Sequence, residues 1–153
     1  MADAGTARSP VGHSGRILDR ADLPLSGLSV ELVASRVGLL RWRLSGGGAE
    51  PGVVERALDR TPILGWRSGA SPPAGPAPGA AFTAAWGSLL GGTGPLRVVL
   101  ARRRPLRRRS LRHELEPVTL GDAFWIAETE GAFDQLVVSD GAVVETRDLR
   151  AVA

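Results

Sequence analysis

The sequence predicts an α+β fold, in which a C-terminal antiparallel β-meander carries one packed helix and a smaller N-terminal lobe precedes it. Three observations support this prediction. Residues 51–61 and 80–90 space their apolar side chains as helices do, and residues after 95 alternate with a period of two. Between them, residues 68–79 are almost entirely Pro, Gly, Ala and Ser, which predicts a flexible connecting loop.

These boundaries divide the chain into four parts within one domain overall. Residues 1–14 are small and polar and predict a disordered tail, without the apolar stretch of a secretory signal. Residues 15–67 form the smaller lobe, 68–79 the loop, and 80–153 the helix with its sheet. With 153 residues, of which 43% are hydrophobic and 23% charged, the chain has the composition of one globular domain. No apolar run approaches the ~18–20 residues of a membrane helix, so a cytoplasmic protein without membrane contact is expected.

Residues 28–44 allow two interpretations. As strands, Leu28, Val30 and Leu32 alternate with polar residues, and the pattern repeats around Trp42. As a helix, the same region keeps one apolar face, since Val30, Val33, Val37, Leu40 and Leu44 recur at helical offsets. The β-branched and aromatic content favours strands.

In its helical form, this region resembles the helix-turn-helix family over residues 28–47. The small residue Ala34 would lie where two helices touch, Gly38 would form the turn and Leu44 would anchor the second helix. The resemblance implies that Arg41 and Arg43 begin a recognition helix and contact nucleic acid in the major groove.

Two further helices are predicted from apolar spacing. Pro51 suits a first helical position, and the face that follows stops before Pro62. The second helix spans 80–90, and Gly91 supplies a left-handed C-terminal residue. Its apolar face consists of Phe82, Ala85, Trp86, Leu89 and Leu90.

The C-terminal strands follow from alternation around residues 96–100, 111–115, 124–127, 133–138 and 142–146. Asp140 and Gly141 between the last two are typical of a two-residue hairpin loop, because that turn needs positive φ angles.

Charge is separated into blocks along this half of the chain. From Arg97 to Arg112 there are eight arginines and no acid, whereas Glu114 to Asp148 contains nine acids and one arginine. Pro105 lacks a donor for a sheet ladder and places a turn or an edge inside the arginine block. The arginines either face an external polyanion or are neutralised by the acidic strands beside them.

The predicted anion-binding set is the arginine-rich turn together with the two arginines of the helix-turn-helix resemblance. It contains Arg102, Arg103, Arg104, Arg107, Arg108, Arg109, Arg112, Arg41 and Arg43. The absence of cysteine excludes disulfides and thiolate chemistry, and with two histidines no metal site and no cofactor are expected.

The sequence therefore predicts a non-enzymatic binding or accessory protein that contacts an anionic partner, with nucleic acid first and an acidic protein surface second. The alternative is a small enzyme acting on a carboxylated or phosphorylated metabolite, in which arginines hold the substrate. His113 or Glu128 would then transfer the proton, and Glu128 would orient His113 if His113 were the base. A homo-oligomeric structural subunit is a third hypothesis.

Overall fold

The computed structural model shows an all-β protein, so the predicted α+β class is wrong. Residues 15–47, 52–91, 94–103, 110–141 and 143–150 are described here. They form twelve strands in three antiparallel sheets of four strands each and contain no helix.

Each sheet has a simple strand order. The first sheet runs β1-β2-β3-β4, the central sheet β5-β6-β10-β9 and the third sheet β12-β11-β7-β8. The first consists of β1 (Arg16–Leu23), β2 (Leu28–Ala34), β3 (Leu40–Gly46) and β4 (Val54–Ala57). The central sheet consists of β5 (Gly65–Ala70), β6 (Ala81–Ser88), β9 (Val118–Leu120) and β10 (Phe124–Glu130). The third consists of β7 (Leu96–Arg102), β8 (Leu111–Leu115), β11 (Gln135–Asp140) and β12 (Val143–Asp148).

The three sheets stack as layers, and the two middle strands of the central sheet, β6 and β10, are buried on both faces. One hydrophobic cluster joins its residues Phe82, Trp86 and Phe124 to the inner face of the first sheet. A second cluster joins Ala85 and Trp125, which point the other way, to the inner face of the third sheet. Successive residues of β6 and β10 therefore contribute to different cores, as the alternation of side chains along a strand requires.

Burial on both faces explains why residues 80–90 were wrongly predicted to be a helix. All residues from Phe82 to Ser88 are buried, so β6 shows no polar alternation. A continuous apolar run of this length is compatible with a buried helix and with a central strand, and periodicity alone does not separate the two. The pairing of β6 with β5 and β10 makes it a strand.

The other predicted helices are also strands. Within 51–61, β4 pairs with β3 at the edge of the first sheet, where Glu55 lies opposite Arg43. Residues 28–46 form the β2–β3 hairpin, which confirms the strand interpretation. The helix-turn-helix resemblance is therefore not realised, and Arg41 and Arg43 do not begin a helix.

The predicted C-terminal strands exist, but they do not form one meander. β10 leaves the third sheet and pairs with β6 and β9 in the central sheet. The predicted β11–β12 hairpin is confirmed, and its loop starts one residue later than predicted, because Asp140 pairs with Val143. Gly141 supplies the positive φ, 64°, that this loop needs.

The Pro- and Gly-rich segment connects β5 to β6 within the central sheet. Its ends are tied by backbone hydrogen bonds between Ser71 and Ala80 and between Gly79 and Ser71. The predicted boundary between two lobes at 68–79 thus falls inside a single sheet, of which residues 68–70 form the end of β5.

We predict that Gly87→Ala strongly destabilises the protein. Trp125 Nε1 donates a hydrogen bond of 2.9 Å to Pro62 O, and a Cβ at Gly87 would overlap that same backbone oxygen. Forcing atoms into a packed core costs about 1–3 kcal/mol, and the obstacle here is backbone. Urea denaturation should show the midpoint falling. Gly52→Ala is the matched control, since its Cβ would meet nothing within 4 Å. Equal midpoints for the two variants would contradict this packing.

Candidate anion-binding surface

The segment that the sequence predicts to be an arginine-rich turn lies between β7 and β8, at one end of the third sheet. Arg102 pairs with Leu111 at this end, and residues 103–110 connect the two strands. Arg104, Arg107, Arg108 and Arg109 belong to this connection and lie outside the described residues. Arg102, Arg103 and Arg112 are described, and we call these three residues the cationic end.

Within the described ranges, none of the three guanidinium groups of the cationic end lies within 4.0 Å of a carboxylate, whereas six arginines elsewhere form such ion pairs. Arg102 Nε instead donates a hydrogen bond of 2.6 Å to Ala132 O, and its guanidinium carbon lies 5.8 Å from the centre of the Phe133 ring. A carbonyl and an aromatic ring orient this side chain without neutralising its charge.

Carboxylates of the acidic block, which runs from Glu114 to Asp148, serve as hydrogen-bond acceptors for the backbone. Five of its carboxylates accept hydrogen bonds from backbone N–H groups. Glu128 accepts from Leu25 and Ser26, Asp134 from Arg103, Asp140 from Leu90, Glu145 from Ile63 and Asp148 from Arg150. All six backbone donors of these bonds lie outside the strands, in segments where N–H groups otherwise need a partner. Asp134, Glu145 and Asp148 also form ion pairs, but with Arg147 or Arg150 and not with the cationic end.

One ion pair does join the two blocks as predicted. Arg97 Nε and Nη2 donate to the two carboxylate oxygens of Glu114 at 2.9 and 3.0 Å across β7 and β8. This bidentate hydrogen bonding with Arg97 lowers the pKa of Glu114. Both side chains are more than half exposed, so the pair contributes little to stability.

Arg41 and Arg43 lie far from this end in the sheet order and belong to a ladder of alternating charges. Arg20, Glu31, Arg43 and Glu55 are cross-strand partners on the four strands of the first sheet. Their closest N–O distances are 3.7, 3.2 and 3.1 Å in that order. Arg41 Nε also lies 3.2 Å from Glu55 Oε1. The structure therefore does not bring these two arginines together with the cationic end.

A hollow of about 220 Å³ lies beside the cationic end, on the outer face of the third sheet. Its floor is apolar and its rim carries Arg97, Arg112, Gln135 and Ser139. The floor consists of Val99, Ala101 and Val137 from β7 and β11. None of the strands described above covers this face, because the core of the third sheet lies on its other side, under Val98 and Leu100. The sequence pattern showed the alternation of β7 but not the hollow, since the opposite wall comes from β11.

The proton-transfer pair of the enzyme hypothesis is not assembled. Glu128 shares a face of β10 with Ile126, which packs toward the first sheet, and it accepts three hydrogen bonds of 2.8 to 2.9 Å from Leu25 and Ser26. His113 is exposed on β8, and its Nε2 lies 3.3 Å from Thr129 Oγ1, on the opposite face of β10. The central sheet thus separates the two side chains. The Glu128 carboxylate stabilises the Pro24–Gly27 turn by accepting these hydrogen bonds.

In the ranges described above, no group of three or more His, Asp or Glu side chains is arranged to hold a metal ion. Nor does any helix there have the length and apolarity needed to cross a bilayer. Comparison with known protein families, curated proteins and solved structures finds no match. The geometry of the third sheet is therefore the basis for a functional proposal.

We predict that Glu128→Gln lowers the free energy of unfolding by about 2 kcal/mol, because hydrogen bonds to a charged acceptor contribute about 1.5–3 kcal/mol. The amide nitrogen of Gln cannot accept a hydrogen bond, so at least one N–H group of the Pro24–Gly27 turn loses its acceptor. Glu130→Gln on the same strand is the control, since Glu130 is exposed and makes no side-chain hydrogen bond in the part of the chain described. Urea denaturation measures both, and an unchanged midpoint for Glu128→Gln would refute the role of the carboxylate.

The pKa of Glu114 is expected to rise toward its ordinary value in Arg97→Gln, because hydrogen bonding and charge from Arg97 lower it. A carboxyl group whose pKa is lowered by folding contributes stability above its unfolded pKa and loses that contribution as the pH falls through the lowered value. NMR titration of the Glu114 carboxyl group measures the shift. A pKa that is the same in both proteins would show that the ion pair does not persist in solution.

Proposed function

We propose that the protein is a non-enzymatic, cytoplasmic binding or accessory protein that contacts an anionic partner through the cationic end and the arginine-rich connection beside it. The observation that carries the proposal is the absence of carboxylates within 4.0 Å of the guanidinium groups of Arg102, Arg103 and Arg112, within the part of the chain that is described. Asp148 attracts Arg103 only from beyond ion-pair distance. Charge without an ion pair at one end of a sheet is available to an external anion.

The sequence of the connection adds to this charge. Between Arg102 and Arg112 the chain contains seven arginines and no acid, and Arg104, Arg107, Arg108 and Arg109 account for four of them. The planar guanidinium group binds the oxygens of phosphate or carboxylate through two parallel hydrogen bonds.

Nucleic acid is the partner that this density of charge favours. A duplex carries about one negative charge per 1.7 Å of its axis, and only a polyanion presents enough charge to engage seven arginines within eleven residues. An acidic protein surface is the second candidate, because carboxylates offer the same bidentate geometry at lower density.

Binding to mixed-sequence DNA or RNA should weaken steeply with salt. Engagement of six phosphates predicts a slope of log K against log salt of about −5. Replacing Arg102, Arg103 and Arg112 together by Gln should weaken binding at low salt and reduce the size of the slope by roughly 2 to 3, because three phosphate contacts are lost. Fluorescence anisotropy at several salt concentrations measures both quantities.

The matched control replaces Arg16, Arg36 and Arg56 together by Gln. These three arginines are exposed, lie in or beside the first sheet, and form no ion pair among the residues described. The control removes the same net charge, so it should leave the slope nearly unchanged. An equal loss in both triple variants would show that binding depends on net charge alone and would contradict a localised surface.

A further inference from the structure

The hollow on the outer face of the third sheet has a mixed chemistry that binding of phosphate alone does not require. Phosphates need cations, but the floor of Val99, Ala101 and Val137 is apolar, and Ala101 is only 5% exposed. Long side chains from neighbouring strands form the walls, since Arg112 and Gln135 are the two cross-strand partners of Ala101. An apolar floor bordered by polar side chains suits a flat, partly apolar group.

The size of the hollow limits what it can hold. Its volume of about 220 Å³ lies below the ~300–1,000 Å³ of pockets for drug-sized ligands, so it suits a single ring system better than a whole cofactor. The rim carries hydrogen-bonding groups of both kinds, because the amide of Gln135 and the hydroxyl of Ser139 each donate and accept. The edge of a nucleobase also presents both donors and acceptors.

The charge beside the hollow identifies the rest of the ligand. Arg97 is engaged by Glu114, whereas Arg112 forms no ion pair with any of the described residues. A group lying on the floor therefore has one uncompensated guanidinium at its side, next to the strand end that carries Arg102 and Arg103. A ring attached to a phosphate meets both requirements.

We propose that this hollow receives one unpaired base of a single-stranded nucleic acid, while Arg112 contacts the adjacent phosphate. This inference rests on the proposed function and adds to it a preference for single strands. A duplex stacks and pairs its bases, so it can offer phosphates to the cationic end but no free base to the hollow. An acidic peptide offers carboxylates but no ring for the apolar floor.

The test compares three ligands of equal length, which are a single-stranded thymine oligonucleotide, its abasic counterpart and a DNA duplex. The full-length protein is titrated against each, and polyglutamate serves as the acidic peptide. A base on the floor of the hollow buries apolar surface against Val99, Ala101 and Val137. The abasic strand should therefore bind roughly tenfold more weakly than the thymine strand.

Two variants fill the hollow without changing any charge. Ala101→Leu fills the hollow from its floor, and Ser139→Leu fills it from its rim. Two variants are used so that the test still works if one of them fails to fold. Thr146→Leu is the control, since Thr146 is exposed on the next strand, opposite Val137, and does not line the hollow. Both filling variants should bind the thymine and abasic strands about equally, while the control keeps the tenfold difference.

The outcomes separate the two proposals. Equal, strongly salt-dependent binding of all three nucleic acid ligands overturns the base site and leaves the proposed function standing. A base-dependent difference that survives both filling variants also overturns this site, because the base would then bind elsewhere. Binding of polyglutamate without binding of any oligonucleotide overturns the base site and assigns the cationic end to an acidic protein. No binding of any ligand overturns both.

Discussion

Burial of the central sheet on both faces is the constraint on which the rest of the structure depends. Strands β6 and β10 supply side chains alternately to two cores, so the buried stretches Phe82 to Ser88 and Phe124 to Ala127 are apolar or small throughout. Ala84 and Ala85 allow close approach of the two outer sheets, and Gly87 admits the backbone oxygen of Pro62. The outer sheets can then have polar outer faces, because their own burial is needed on one side only.

A second constraint comes from the connections between the layers. A protein without helices in its described part still has backbone N–H groups in turns and crossovers that the sheet ladders do not satisfy. Carboxylates supply several of these acceptors, as when Glu128 holds the turn at Ser26 and Asp140 accepts from Leu90. Three of the acids that accept from the backbone, Asp134, Glu145 and Asp148, also pair with Arg147 or Arg150, and none of them lies within ion-pair distance of the cationic end. The charge of Arg102, Arg103 and Arg112 can therefore remain at the surface.

Much of the strand pattern was predictable, whereas the sheet assignment was not. The alternation of Leu96, Val98 and Leu100 follows from local chemistry, and so does the hairpin predicted at Asp140-Gly141. The structure contains both features, with the hairpin loop starting one residue later than predicted. The prediction of a helix at 80–90 was wrong, because the sequence of a strand buried on both faces does not alternate between apolar and polar residues. Of the predicted site, the hairpin that carries the arginines was foreseen, but Arg41 and Arg43 lie in a charge ladder of another sheet. The hollow was not foreseen, since its floor and rim combine β7, β8 and β11.

The sequence by itself determined the separation of basic and acidic blocks and the strand character of most of the C-terminal half. These properties depend on neighbouring residues, which act over a few positions of the chain. Only the tertiary structure decided which acids form ion pairs with arginines and which accept hydrogen bonds from the backbone. It also decided that a hollow lies on the outer face of the third sheet. Those outcomes depend on pairs as far apart in sequence as Leu25 and Glu128, which come together only when the layers stack.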